Sequence, residues 1–317
     1  MSWSKKSLYL RGVAMGAADL VPGVSGGTVA FVTGIYDELL RSINACNLGA
    51  LHTLFRGDIS AFWQRVNGTF LLCVVAGVAT SLFTLAHLLS YCLAHHPVLL
   101  WSFFFGLVVA SIAFMYGQLG PLRPAVVAAL LIGAQLSWSV TAAIPGHWPT
   151  AGPVTFFVAG SLAICAMILP GLSGSFILVV MGLYGPVLEA VKRFDFLILA
   201  CFAAGCITGI ALFARLLALC LSNYRSFTLA LLTGLMAGAL RQLWPWKTAA
   251  TIGTGQSTAP INLWPGQYEQ MTGEPAHFFV AIALAILACV IVGLFKLAAS
   301  RQDEHGKQCK AVPKQRR

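Results

Sequence analysis

Apolar residues run along this chain in long unbroken stretches, unlike the alternation of a half-buried strand or the narrow stripe of a surface helix. Six stretches, 69–93, 98–117, 123–143, 196–221, 226–244 and 276–299, each have the roughly 20 residues that a helix needs to cross a hydrocarbon core. Two further apolar regions, 7–40 and 153–190, are cut in the middle by Pro22-Gly23-Val24-Ser25-Gly26-Gly27 and by Pro170-Gly171-Leu172-Ser173-Gly174-Ser175. Proline, glycine and serine together interrupt a helix, so each region is expected to give two half-length pieces.

The broken regions are copies of one another. Residues 20–40 (LVPGVSGGTVAFVTGIYDELL) align without a gap on 168–188 (ILPGLSGSFILVVMGLYGPVL), an offset of 148. Downstream, Gly77, Cys92, Leu93, Gly106 and Leu107 fall opposite Gly205, Cys220, Leu221, Gly234 and Leu235 at an offset of 128, the first copy carrying about twenty extra loop residues between 44 and 67. The expected organisation is a first repeat over 1–150, a second over 151–300 and a basic tail at 301–317. Each repeat is one broken segment followed by three helices, in an all-α polytopic membrane fold.

Charge separates the two sides of the membrane. With re-entrant hairpins and a cytoplasmic N-terminus, one side receives Lys5, Lys6, Arg11, Arg41, Arg56, Arg65, Arg123, Arg225 and the seven basic residues from Lys296 to Arg317. The other receives Lys192, Arg193, Arg241 and Lys247, and Arg215 stays inside a helix. Fifteen against four obeys the positive-inside rule and predicts both termini in the cytoplasm. A hairpin plus three crossings is an odd number of crossings, so the second copy must be inverted, an arrangement typical of secondary transporters with broken helices near the midplane.

A non-helical turn at membrane depth must be buried in protein or line a watery cavity. Each turn here begins a half-helix whose free N–H groups and positive dipole end suit an anion, and the glycines allow close approach. The candidate ligands for a phosphate or carboxylate are Gly23, Ser25, Gly26, Gly27 and Thr28 from the first turn, and Gly171, Ser173, Gly174 and Ser175 from the second. Arg215 joins them as a mid-helix guanidinium able to grip a phosphate with two donors. Asp19 and His87, an acid and an imidazole inside apolar segments, are the candidate proton carriers.

Composition narrows the classes further. The chain is 58% hydrophobic and 9% charged, with a mean hydropathy of +0.81, which excludes a disordered or ordinary soluble chain. Its net charge of +10 is concentrated at the ends, where it meets anionic headgroups rather than nucleic acid. The nine cysteines form no C-x-x-C pair and read as small hydrophobes. No Walker motif, nucleotide fingerprint or zinc spacing is present, so no metal or cofactor is expected. Arg11 and Asp19 interrupt what would be the core of a signal peptide, and no cleavage is expected.

The run from Gly16 to Leu40, with its echo at 168–188, resembles a bacterial and archaeal family of polytopic polyprenyl-phosphate translocases, over roughly 8–299. The resemblance implies a flippase, not an enzyme, in the cytoplasmic (inner) membrane. Its substrate would be undecaprenyl phosphate, returned from the outer to the inner leaflet so that the lipid carrier can be reused for cell-envelope polysaccharides. The second copy has Ser175, Phe176 and Gly185 where the first has Gly27, Thr28 and Asp37, so the hairpins need not contribute equally. Two alternatives stay open on the residues. Gly23-Val24-Ser25-Gly26-Gly27 matches the G-x-S-x-G of a serine hydrolase, with His277 as a conceivable base. Lipid pyrophosphate phosphatases have paired re-entrant segments and a P-G-x-S-R-S motif, but Gly26 and Gly174 stand where that arginine belongs. Whether the unit forms a homo-oligomer is likewise open.

Overall fold

A computed structural model describes residues 4–20, 25–121, 123–142, 152–252 and 256–311. Helix α1 (Lys5–Asp19) is followed by two short helices, α2 (Gly26–Val32) and α3 (Tyr36–Ala45). The twenty extra residues of the first copy contain α4 (Leu48–Phe55) and α5 (Ile59–Arg65), started by the side chains of Asn47 and Asp58. Then come α6 (Gly68–His95), α7 (Pro97–Tyr116) and α8 (Pro124–Ala142). The order repeats with α9 (Pro153–Ile168), α10 (Gly174–Val180), α11 (Tyr184–Arg193), α12 (Phe196–Asn223) and α13 (Arg225–Ala239). An antiparallel hairpin, β1 (Lys247–Ile252) and β2 (Gln256–Asn262), precedes α14 (Pro265–Thr272) and α15 (Phe278–Ala311).

The copies match in detail. Helices α2 and α10 have 7 residues each, α3 and α11 have 10, and α6 and α12 have 28. Ser25 and Ser173 hold the N-cap positions, and Gly34 and Gly182 take φ of +76° and +68° at the following bends. Helix α1 packs along α6 as α9 packs along α12, while α8 lies along α13 and α7 along α15. At the first two seams glycine lets backbones touch: a Cβ on Gly12 would strike the Val74 carbonyl and one on Gly77 that of Tyr9. At the corresponding positions Gly160 meets Phe202 and Gly205 meets Phe157. Without a hydrophobic driving force in lipid, such small-residue seams supply the helix association.

Four helices, within 68–85, 97–116, 124–141 and 196–223, are long and apolar enough to span a bilayer, and the bent pair α10–α11 would make a fifth. Large apolar side chains point outward along them. Phe83 on α6 is 83% exposed, and on the shorter apolar stretch of α15 Phe279 is 85% exposed, a cost in water that vanishes against lipid tails. The core lies between the helices and is built by Leu40, Met115, Leu229, Leu235 and Met236 among others.

Three features depart from the sequence expectation. Each broken region is cut twice rather than once, because Gly34 and Gly182 add a second bend, and α10 and α11 lie 107° apart. The fold is mainly helical but includes the β1–β2 hairpin, between the apolar stretches at 226–244 and 276–299. Helix α13 ends at Ala239; Leu243 still packs in the main core, and Trp244 and Trp246 turn into a separate cap with Val98, Leu263 and Tyr268. Among the described residues the cysteines are half-buried or, for Cys46, exposed; Cys206 and Cys289 donate to the carbonyls of Gly160 and Gly106 across helix seams.

Candidate functional site

The two glycine-rich turns meet, and the first grips the second. Ser25 starts α2 by accepting from Gly27 N–H at 3.1 Å, and its hydroxyl donates to the Met167 carbonyl at 3.0 Å. Thr28, fully buried, accepts from Gly171 N–H at 3.1 Å. Tyr36 donates to the Ile168 carbonyl, also at 3.1 Å. These bonds satisfy the carbonyls freed where α9 ends and the N–H that leads into the second turn. Gly171 is wedged between Thr28 and α13: its φ is +88°, and a Cβ there would sit 2.7 Å from the Cα of Met236. Only glycine satisfies both demands.

Asp19 closes the first turn from the other side. It ends α1, and its carboxylate accepts from Gly26 N–H at 2.7 Å, so an internal anion already occupies the start of α2. Gly26 has no room for a side chain, since a Cβ would lie 2.5 Å from the Asp19 Oδ2 atom. The second turn has no counterpart: Met167 stands where Asp19 stands, and Phe176 where Thr28 stands. Ser173 and Ser175 share one hydrogen bond of 2.8 Å, and Ser173 makes no side-chain cap to α10.

Of the sequence-predicted ligands, Ser25, Gly26, Gly27, Thr28, Gly171, Ser173, Gly174 and Ser175 lie in or beside this junction. Gly23 falls outside the described residues, as does the side chain of His87, which belongs to α6. Arg215 is not brought to the turns. It is exposed on α12 and forms no hydrogen bond or ion pair among the described residues. Phe213 and Leu217, half a turn away on either side, face an apolar groove of about 530 Å³ that begins at Leu169 beside the second turn and reaches Tyr224 and Phe227. Among the described residues no histidine is hydrogen-bonded to Ser25 or Ser173, and the Ser25 proton goes to a carbonyl, not to a base.

Sequence reasoning missed the clasp made by Tyr36, and the cap at the far end of α13. There the Lys247 Nζ atom lies 3.4 Å above the Trp101 ring and donates to the Gln242 carbonyl. Burial pushes its ammonium down to about 7.

With this geometry in place, comparison with known proteins is decisive for the family. A family model described as VCA0040-like, undecaprenyl phosphate translocase-like, matches residues 15–261. The chain belongs to this family. A polyprenyl-phosphate transporter of Vibrio cholerae is 43% identical over 299 residues, covering 92% of this chain and 96% of that one. A polyprenyl-phosphate transporter of Staphylococcus aureus is 29% identical over 255 residues, covering 74% and 85%. No solved structure matches. The family match spans both turns and the hairpin strands up to Ile261, so the junction described above lies wholly inside it.

Proposed function

We propose that this multi-pass membrane protein carries the phosphate headgroup of a polyprenyl phosphate, undecaprenyl phosphate in particular, from the outer to the cytoplasmic leaflet of the inner membrane. The observation that carries the reading is the junction of two broken helices at Thr28 and Gly171, with the Ser173 and Ser175 hydroxyls bonded to each other and, among the described residues, to no other partner. Gly171, Ser173, Gly174 and Ser175 would hold the phosphate from one side, with Ser25, Gly26, Gly27 and Thr28 forming the other wall. The prenyl chain stays in the bilayer, its first units against the groove that opens at Leu169. Arg215 stands apart in this conformation.

The two halves, 1–150 and 151–300, act as an inverted repeat in this reading, and the ends of α12 and α13 support it. Asn44, at the end of α3, donates to the Ala214 carbonyl of α12, and Arg225, where α13 starts, lies 3.8 Å from Asp37 of α3. Helix α11 leads into the opposite end of α12 through Asp195. Rocking of one repeat against the other would open the junction to each side in turn. Asp19 is the candidate for proton coupling, because a protonated carboxyl no longer competes as an anion at Gly26; His87 is the second candidate.

The test uses sealed proteoliposomes with labelled undecaprenyl phosphate and a membrane-impermeant phosphatase added outside. In protein-free vesicles about half the lipid is protected; with protein, nearly all should become accessible. Unchanged protection with folded protein would reject translocation, and phosphate release before the phosphatase is added would favour a lipid phosphatase instead.

A further inference from the structure

Among the described residues three arginines meet carboxylates. Arg41 pairs with Glu38 at 2.6 Å, Arg193 with Glu189 at 2.5 Å, and Arg225 approaches Asp37. Arg241 is not one of them. It follows the end of α13 at the hairpin side, with its guanidinium 4.9 Å above the ring of Trp138 on α8. Among the described residues its side chain has no hydrogen-bond acceptor, and Nη1 is buried without one. The neighbouring Ser137 hydroxyl is fully buried and also unpartnered. Both lie on one seam, since a Cβ on Gly238, one turn before Arg241, would touch Ser137 and Trp138.

The local acids are engaged elsewhere. Glu269 accepts from Ala276 N–H and Glu274 from the Tyr268 hydroxyl. Meanwhile the hairpin holds the backbone of this corner in place: Asn262 donates to the Arg241 carbonyl at 2.8 Å and Lys247 to that of Gln242 at 2.6 Å. A guanidinium fixed on an aromatic face, without a carboxylate, and with a buried donor lacking an acceptor is a site short of one anion. Its position gives that anion a use. Gly171 of the second turn touches Met236, and Arg241 follows five residues later, just past the end of α13.

We propose that Arg241, seated on Trp138 beside Ser137, is a receiving site for the phosphate monoester headgroup of a lipid in the leaflet on the hairpin side, one step before the second turn. The ligand class rests on the polyprenyl-phosphate reading above; the anion site itself rests on the geometry. A phosphate there would supply the acceptor that Nη1 lacks.

The test uses the full chain in nanodiscs, with arginine-selective labelling read by peptide mass spectrometry. Farnesyl phosphate should lower labelling of Arg241 several-fold, whereas farnesol and inorganic phosphate at equal concentration should not. No protection by farnesyl phosphate overturns the proposal, and equal protection by inorganic phosphate overturns its assignment to a lipid. Arg241→Gln should weaken farnesyl phosphate binding about ten- to hundredfold, the value of hydrogen bonds to a charged group, and unchanged affinity also counts against it. The labelling uses the unaltered protein, so a poorly folding variant cannot hide the answer. Protection of Arg241 without transport in proteoliposomes would reject the translocation reading and leave this site standing; transport with Arg241 unprotected would do the reverse.

Discussion

Single side chains at the two turns do work that their residue type alone does not reveal. Ser25 and Thr28 are the small hydroxyl residues one would choose to face a phosphate, yet both are buried and engaged with the opposite turn. Their role follows from a contact 142 or 143 residues away, which no local spacing encodes. Asp19 was visible as an acid in an apolar run because a membrane-embedded carboxylate needs a reason, but its hydrogen bond to Gly26 appears only in three dimensions. Lys247 gives the residue scale a measurable pH dependence. Burial lowers its ammonium to about 7, while the unfolded side chain titrates near 10.5. Between those values the unfolded chain binds the proton and the folded one does not, so folding of the cap is least favoured below about 7 and gains as pH rises towards 10.5. Resistance of the 244–276 cap to proteolysis should therefore rise across that window. Lys247→Met should flatten the profile, and a profile that keeps its slope in the variant would dismiss Lys247 as the cause.

Whole elements were more legible than side chains. Long apolar runs gave α6, α7, α8 and α12 within a few residues of their observed ends, because helix is the arrangement that satisfies every backbone group within lipid. The short elements were hidden for a physical reason. Helices α3 and α11 carry apolar and charged faces, with Leu40 buried and Arg41 exposed, so hydropathy averaged them into the preceding apolar segment. The bend before each depends on one glycine in a left-handed conformation, at Gly34 and Gly182. The seams allow a sharper test. Gly205 faces the Phe157 carbonyl of α9, whereas Gly293 on α15 has nothing within 4 Å of a Cβ. Gly205→Val should separate α9 from α12 and destabilise the protein by about 1–3 kcal/mol, the usual range for overpacking. Gly293→Ala should leave the unfolding temperature in detergent unchanged or slightly raised, since alanine is the better helix former. Equal effects of the two substitutions would mean that the seam does not set the helix spacing.

At the scale of the molecule, sidedness decides whether two similar halves can work as alternating gates. Helices α3 and α11 are counterparts, yet α3 meets α12 through Ala214 and the α12–α13 joint through Arg225, whereas α11 enters α12 at Phe196. Helix α12 has 28 residues and is about 42 Å long, more than the hydrocarbon thickness and enough to put its two ends at opposite surfaces. An upright repeat would put α3 and α11 on the same surface. The charge distribution already hinted at this in the sequence, with Arg41 on the basic side and Lys192 and Arg193 on the sparse one, but it gave no sign of the hairpin or of the cap it forms over α7 and α13. The proposed inverted arrangement makes a definite prediction for intact cells. In a background where exposed Cys46 is replaced by serine, Arg193→Cys should react with an impermeant maleimide added outside, and Arg41→Cys should react only after the membrane is opened. Labelling of both positions from the same side would rule out inversion. Without inversion the two turns would not exchange roles between inward- and outward-facing states, and a headgroup released at one surface would have no equivalent path from the other.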